Sequence, residues 1–151
     1  EKLGLGDGAQ LESIAMAAIL HDIGKRFIPV SILTKPAKLD PQERAIIESH
    51  PQRGYEELCV RDDMNHDQLM IVYQHHERFD GTGYPVGFQG EEIHPWARMI
   101  AVVDVFDAMT GMRPYRRPAA ARDAMDHICR KAGTHFDPEM VACWNSMMTT
   151  S

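Results

Sequence analysis

The chain has 151 residues, enough for one domain with a single sizeable core, and its 44% apolar and 25% charged content is ordinary for a soluble globular protein. Its longest apolar run, IAMAAIL (14–20), is far too short to span a bilayer, and residues 1–13 lack the basic start and apolar run of a signal peptide. A net charge of −6 argues against a general DNA or RNA binder, and three scattered cysteines (Cys59, Cys129, Cys143) argue for reduced thiols in a cytoplasmic setting rather than a disulfide frame.

In chain order, QLESIAMAAILHD (10–22) carries a helical pattern rich in alanine, leucine and isoleucine, with Gly24 placed to end it. LDPQERAIIESH (39–50) opens with Asp40 as N-cap, Pro41 at the first helical position and Glu43 at the third. HDQLMIVYQHHE (66–77) predicts a helix running into the glycine-rich stretch DGTGYP. PWARMIAVVDVFDAMTG (95–111) is the longest helical pattern, with Ile100, Val103 and Phe106 available for a core. PAAARDAMDHICRKAG (118–133) closes on Arg130, Lys131 and Gly133, and FDPEMVACWNSMM (136–148) repeats an Asp-Pro start at Asp137 and Pro138. No stretch alternates in the strand manner, and no repeat or low-complexity linker interrupts the chain. The expected fold is an all-α helical bundle.

The chemistry-bearing residues fall in four separate stretches. HDIGK supplies His21, Asp22 and Lys25; SHPQRG supplies His50; HHERFDGTGYP supplies His75 and His76; VVDVFDA supplies Asp104. Imidazole nitrogens and carboxylate oxygens are the ligands expected for divalent iron, manganese or zinc, and helical bundles build metal sites from different helices. Asp104 sits among apolar neighbours, where burying a carboxylate costs several kcal/mol unless a cation or hydrogen bonds meet it. Each piece also has a plainer reading. His50 before Pro51 could simply end a helix, the histidine pair could answer a helix dipole, and Asp104 could be satisfied by backbone groups. Asp107, His66, His94, His127 and His135 read as structural or surface residues. The set, taken together, carries the metal reading.

HDIGK, HPQRG, HHERFDGTGYP and DVFDAMTGMRPYRR, in this order and spacing, resemble the HD-GYP domain, a branch of the HD phosphohydrolase superfamily. The likeness runs from about residue 3 to residue 144. It implies an all-helical bundle of the HD type and a metal-dependent phosphodiesterase that hydrolyses the bacterial messenger cyclic di-GMP to linear pGpG or GMP. The implied cofactors are two or three divalent ions, iron or manganese. The resemblance makes His21, Asp22 and Asp104 ligands of the first metal, with Asp22 bridging to a second held by His50, His75 and His76. A carboxylate can offer one oxygen to each of two cations, which a histidine cannot. Lys25 would meet a phosphate oxygen and, with Asp22, would be catalytic. Tyr84 resembles the tyrosine that helps hold the nucleotide. Arg113 and Arg116 resemble a basic substrate-binding pair, the second of which is usually lysine in the family.

The family carries a further metal-binding histidine on a helix roughly thirty residues before the HD pair. Here twenty residues precede His21 and none is histidine. The chain therefore reads as a single HD-GYP domain over 1–151 lacking its N-terminal helix. The implied partners are cyclic di-GMP, a protein docked on the GYP loop and an upstream sensory or receiver domain, with neither membrane nor nucleic acid polymer. The alternative function is a non-hydrolytic module that binds the nucleotide or a partner protein.

Overall fold

Proline, glycine and capping side chains cut this chain into helices at points that the apolar pattern alone does not mark. The computed structural model describes residues 8–112 and 117–149 and divides the chain into two compact units, Glu1–His76 and Glu77–Ser151. Among the described residues there is no strand, and the β-type pairing is two isolated bridges, Asp80 with Gln89 and Ala132 with Phe136. The all-α expectation therefore holds. None of the described helices is long and apolar enough to cross a membrane.

In the first unit, α1 spans Gly8–Leu20 and buries Ile14 and Ala17. The helix stops two residues short of the expected end, and His21 and Asp22 form a turn into a 3-10 segment, Ile23–Phe27. Gly24 is thus no helix terminator. It lies inside the 3-10 turn because a Cβ there would fall 1.9 Å from the His50 carbonyl oxygen. The short α2 (Val30–Leu33) follows a Pro29 cap, and α3 (Pro41–Glu48) starts with the expected capping box: Asp40 accepts from the Glu43 amide, and Glu43 accepts from the Asp40 amide.

The sequence reading placed His50 at the end of a helix. The structure corrects this: α3 ends at Glu48 and a new helix, α4 (His50–Leu58), begins at His50, with Pro51 in its first turn. Proline lacks an N–H and fits the first turn of a helix but not its interior, so it forces the break there. Next, α5 (His66–Gln74) is capped by Asn65 and Gln68 in a reciprocal pair, and Asn65 also donates to Ser13 Oγ on α1. The helix ends before the expected residue 77, leaving His75 as its C-cap. Helix α5 packs on both α1 and α4, and α4 packs on the 3-10 turn. Ile14, Ala17, Ile28, Leu58, Ile71 and Val72 are buried in this unit.

In the second unit, α6 (Pro95–Thr110) starts with Trp96 N–H donating to the His94 ring, and α7 (Ala121–Arg130) and α8 (Pro138–Thr149) pack on it and on each other. Their shared core is Val102, Met125, Ile128, Phe136 and Val141, with Phe106 and Trp144 edge-to-face against it. Val102 takes the buried position expected of Val103, which is only half-buried. Asp137 begins α8 as expected, accepting from the Glu139 amide, and its second oxygen pairs with Arg98 of α6.

Candidate metal centre

Three chain turns in the first unit converge because two glycines allow it. Gly24 lets the 3-10 turn press onto α4 so closely that a Cβ there would collide with the α4 backbone, while a Cβ at Gly54 would meet the Val72 side chain at 2.9 Å and the turn at 3.3 Å. That approach sets Asp22, at the start of the turn, beside His50, the first residue of α4. Helix α5 delivers His75 and His76 from its C-terminal end to the same point. One ligand atom from each of Asp22, His50, His75 and His76 lies within 4.8 Å of all the others.

The backbone fixes which nitrogen each ring presents. His21 Nδ1 lies 2.6 Å from the Ala18 carbonyl, His50 Nδ1 lies 2.7 Å from that of Ile47, and His75 Nδ1 lies 2.9 Å from that of Val72. A carbonyl can only accept, so each Nδ1 carries the hydrogen and, in a neutral ring, Nε2 is an acceptor. His50 Nε2 and His75 Nε2 nevertheless stand 3.2 Å apart, both rings buried. Asp22 Oδ1, itself buried without a well-aligned hydrogen bond, faces them at 3.3 and 3.8 Å. Two lone pairs and an anionic oxygen facing one another repel unless a proton or a metal cation lies among them.

Charge states agree with that reading. Burial pushes His76 down to about 3 and His75 well below the usual histidine range, with the neighbouring histidines adding to the effect, so both rings are neutral at pH 7. Burial acts to raise the Asp22 carboxyl, but His50 and Lys25 beside it, and the charges of His21 and Lys25, hold it well below the usual carboxylate range. Neutral imidazoles plus an ionised carboxylate form a donor set that fits divalent iron, manganese or zinc. Carbonyl-held Nδ1–H groups are also the outer support expected of histidine ligands.

The remaining expected residues fall in different places. His21 stands next to the four, its Nε2 3.5 Å from Asp22 Oδ2 and its ring centroid 5.0 Å from that of His75. Lys25 Nζ sits 2.5 Å from Asp22 Oδ2, a direct ion pair with the site's carboxylate. Asp104 and Tyr84 belong to the second unit, where both are half-buried; Asp104 is less enclosed than its apolar sequence neighbours implied. Arg113 and Arg116 lie outside the described residues.

Glu77 was left without a role by sequence reasoning. It is 3% exposed, and its carboxylate accepts from the amides of Val86 and Gly87, closing the GYP loop. Inside that loop Asp80 Oδ1 accepts from Thr82 N–H and Oγ, and Gly81 and Gly87 take positive φ values of 79° and 86°, which glycine adopts without strain. No sequence signal marks Glu77, because its partners are backbone amides nine and ten residues away.

An all-helical protein with a buried histidine–carboxylate cluster is the class these observations define. The chain belongs to the HD domain family, which matches residues 1–140. It is 42% identical over 142 residues to the cyclic di-GMP phosphodiesterase response regulator RpfG of Xanthomonas campestris pv. campestris, covering 93% of this chain and 37% of that protein. It is 39% identical over 138 residues to 3′3′-cGAMP-specific phosphodiesterase 2 of Vibrio cholerae, covering 88% of this chain and 26% of that protein. The chain thus spans between about a quarter and a little more than a third of the length of these relatives. In fold it is similar to Bd1817, an HDG"Y"P protein from Bdellovibrio bacteriovorus, with a TM-score of 0.76 at 20% identity over 98% of this chain and 47% of that one. The HD-GYP assignment made from the motifs stands with these matches.

Proposed function

We propose that this chain is the hydrolytic domain of a metal-dependent cyclic dinucleotide phosphodiesterase, with cyclic di-GMP as substrate and linear pGpG or GMP as product. The observation that carries it is the convergence of Asp22, His50, His75 and His76 within 4.8 Å, with the His50 and His75 Nε2 atoms facing each other. The activities for which these relatives are named support the same substrate class. The family match runs through both compact units, which supports one HD-GYP domain over the whole chain.

In this reading His50, His75, His76 and Asp22 hold one divalent ion, iron or manganese. By resemblance to the family, Asp22, His21 and Asp104 would be assigned to a second ion. Such ions lower the pKa of water and neutralise charge on an attacked phosphate. Asp22 stays ionised at neutral pH, so it can use both oxygens. Lys25 is 40% exposed at its side chain and can turn from Asp22 to a phosphate oxygen. Tyr84, Arg113 and Arg116 are assigned to substrate by resemblance to the family.

The test is incubation of cyclic di-GMP with protein loaded with Mn(II) or Fe(II) without oxygen, with products identified by mass spectrometry. Linear pGpG or GMP is expected from the native chain and none from Asp22→Ala. A metal-loaded native protein that binds cyclic di-GMP and leaves it intact would replace the enzyme by a binding module.

A further inference from the structure

The seam between the 3-10 turn and α4 carries more than the metal cluster. A shallow cavity of about 230 Å³ opens on it, lined by Phe27, Arg53, Glu56 and Glu57. It is smaller than the roughly 300–1,000 Å³ pockets that enclose drug-sized ligands, so it suits one planar fragment and not a whole dinucleotide. Phe27 is 41% exposed, and the guanidinium of Arg26 lies over its ring, 5.4 Å from the centroid. Arg26 is held there by Glu57 Oε1 at 3.1 Å. The Arg53 Nε is committed to Ser49 Oγ at 3.0 Å, so its terminal nitrogens are what it can offer a ligand.

Position on α4 ties this cavity to the cluster. Glu57 follows His50 by seven residues, two helical turns, which returns it to nearly the same face about 10 Å along the axis. Arg53 lies one turn from His50, and Phe27 two residues from Lys25. A phosphate at the cluster and a base in the cavity would thus lie along one seam, near the two ends of α4.

Resting on the phosphodiesterase reading above, we infer that the cavity of Phe27, Arg53, Glu56 and Glu57 takes one guanine base of the substrate and selects it over adenine. Guanine presents N–H donors at N1 and N2 on one edge and acceptors at O6 and N7 on the other. Glu57 accepts from the donor edge with the oxygen that Arg26 leaves open, Arg53 donates to the acceptor edge, and Phe27 supplies the stacking surface. Adenine turns a lone pair at N1 toward the carboxylate in that pose and has no amino group at C2.

The experiment titrates GMP and AMP into isotope-labelled, EDTA-treated protein and follows backbone amides by NMR. GMP is expected to shift the amides of Phe27, Arg53, Glu56 and Glu57 and to bind about tenfold or more tightly than AMP. Glu57→Gln, checked for an unchanged melting curve, should lose that preference, and Phe27→Leu should weaken both nucleotides. Equal affinity for GMP and AMP, shifts confined to the histidine cluster, or an unchanged preference in Glu57→Gln would overturn the guanine cavity. The metal-stripped titration does not depend on hydrolysis. Guanine-selective binding with no cyclic di-GMP turnover after metal loading would therefore strike the phosphodiesterase reading alone, and turnover with no guanine selectivity would strike the cavity alone.

Discussion

Gly24→Ala should damage the metal centre without touching a ligand. A Cβ at this position would lie 1.9 Å from the His50 carbonyl oxygen and 2.6 Å from the Gly54 nitrogen, against 3.4 Å or more in ordinary contact. The 3-10 turn must therefore withdraw from α4 by some 1.5 Å, and both obstacles are backbone atoms that cannot rotate away. Overpacking usually costs about 1–3 kcal/mol, and rigid obstacles on both sides put this case at the upper end, about 3 kcal/mol. For a chain of this length that corresponds to a fall in Tm of roughly 6–12 °C. The same withdrawal carries Asp22 away from His50, whereas metal sites tolerate only about 0.2 Å in ligand distance.

The assay is thermal melting with and without Mn(II). A ligand at a hundred times its Kd stabilises the native protein by about 2.7 kcal/mol, so the native protein should gain several degrees and Gly24→Ala close to none. Gly54→Ala is the control. Its Cβ meets the Val72 side chain at 2.9 Å, which can adjust, and alanine gains about 1 kcal/mol of helix propensity over glycine. It should melt nearer to the native protein. A Gly24→Ala variant with native Tm and a native Mn(II) response would refute this account of how the site is assembled.

His76→Ala should leave metal bound through Asp22 and His21 while weakening the ion held with His50 and His75, read as a partial loss of Mn(II) by electron paramagnetic resonance. The metal-free protein should lose stability as pH falls from 7 to 5. His76 and His75 are held neutral by burial, so the unfolded chain binds more protons below its ordinary histidine pKa of 6.5. With a folded pKa of about 3, His76 alone contributes about 2 kcal/mol of loss over that interval, and His75 acts in the same direction. Asp22 enters only below its ordinary carboxylate value, outside this range. Chemical denaturation at each pH measures this, and a flat profile between pH 7 and 5 would contradict the burial of neutral rings. Glu77→Ala removes the acceptor for two loop amides and should cost about 1–3 kcal/mol, with faster hydrogen exchange at Val86 and Gly87. Native protection at both amides would show that the carboxylate does not close the loop.

What was legible in the sequence were features that act locally. Asp40 with Glu43 and Asp137 with Pro138 mark helix starts through bonds made within three residues, and both were found where expected. The ligand types of the cluster were also legible, because histidines and an aspartate gathered in separate short motifs have few other reasons to occur together. Helix α4 was not. Its sequence HPQRGYEEL is polar and holds a mid-helix glycine, which weakens a helix taken alone. Gly54 is explained by Val72, eighteen residues later, and by Gly24, thirty residues earlier, and those contacts are invisible until the chain folds. The early end of α1 has the same cause: the turn at His21 and Asp22 is set by the approach to α4.

The central claim is that Asp22 and the histidines form a centre for divalent metal. Elemental analysis of protein purified without oxygen, beside Asp22→Ala prepared in parallel, tests it most directly. The account predicts at least one equivalent of iron or manganese per native chain and almost none in the variant. A native chain without metal after loading, or a variant with an equal complement, would contradict it.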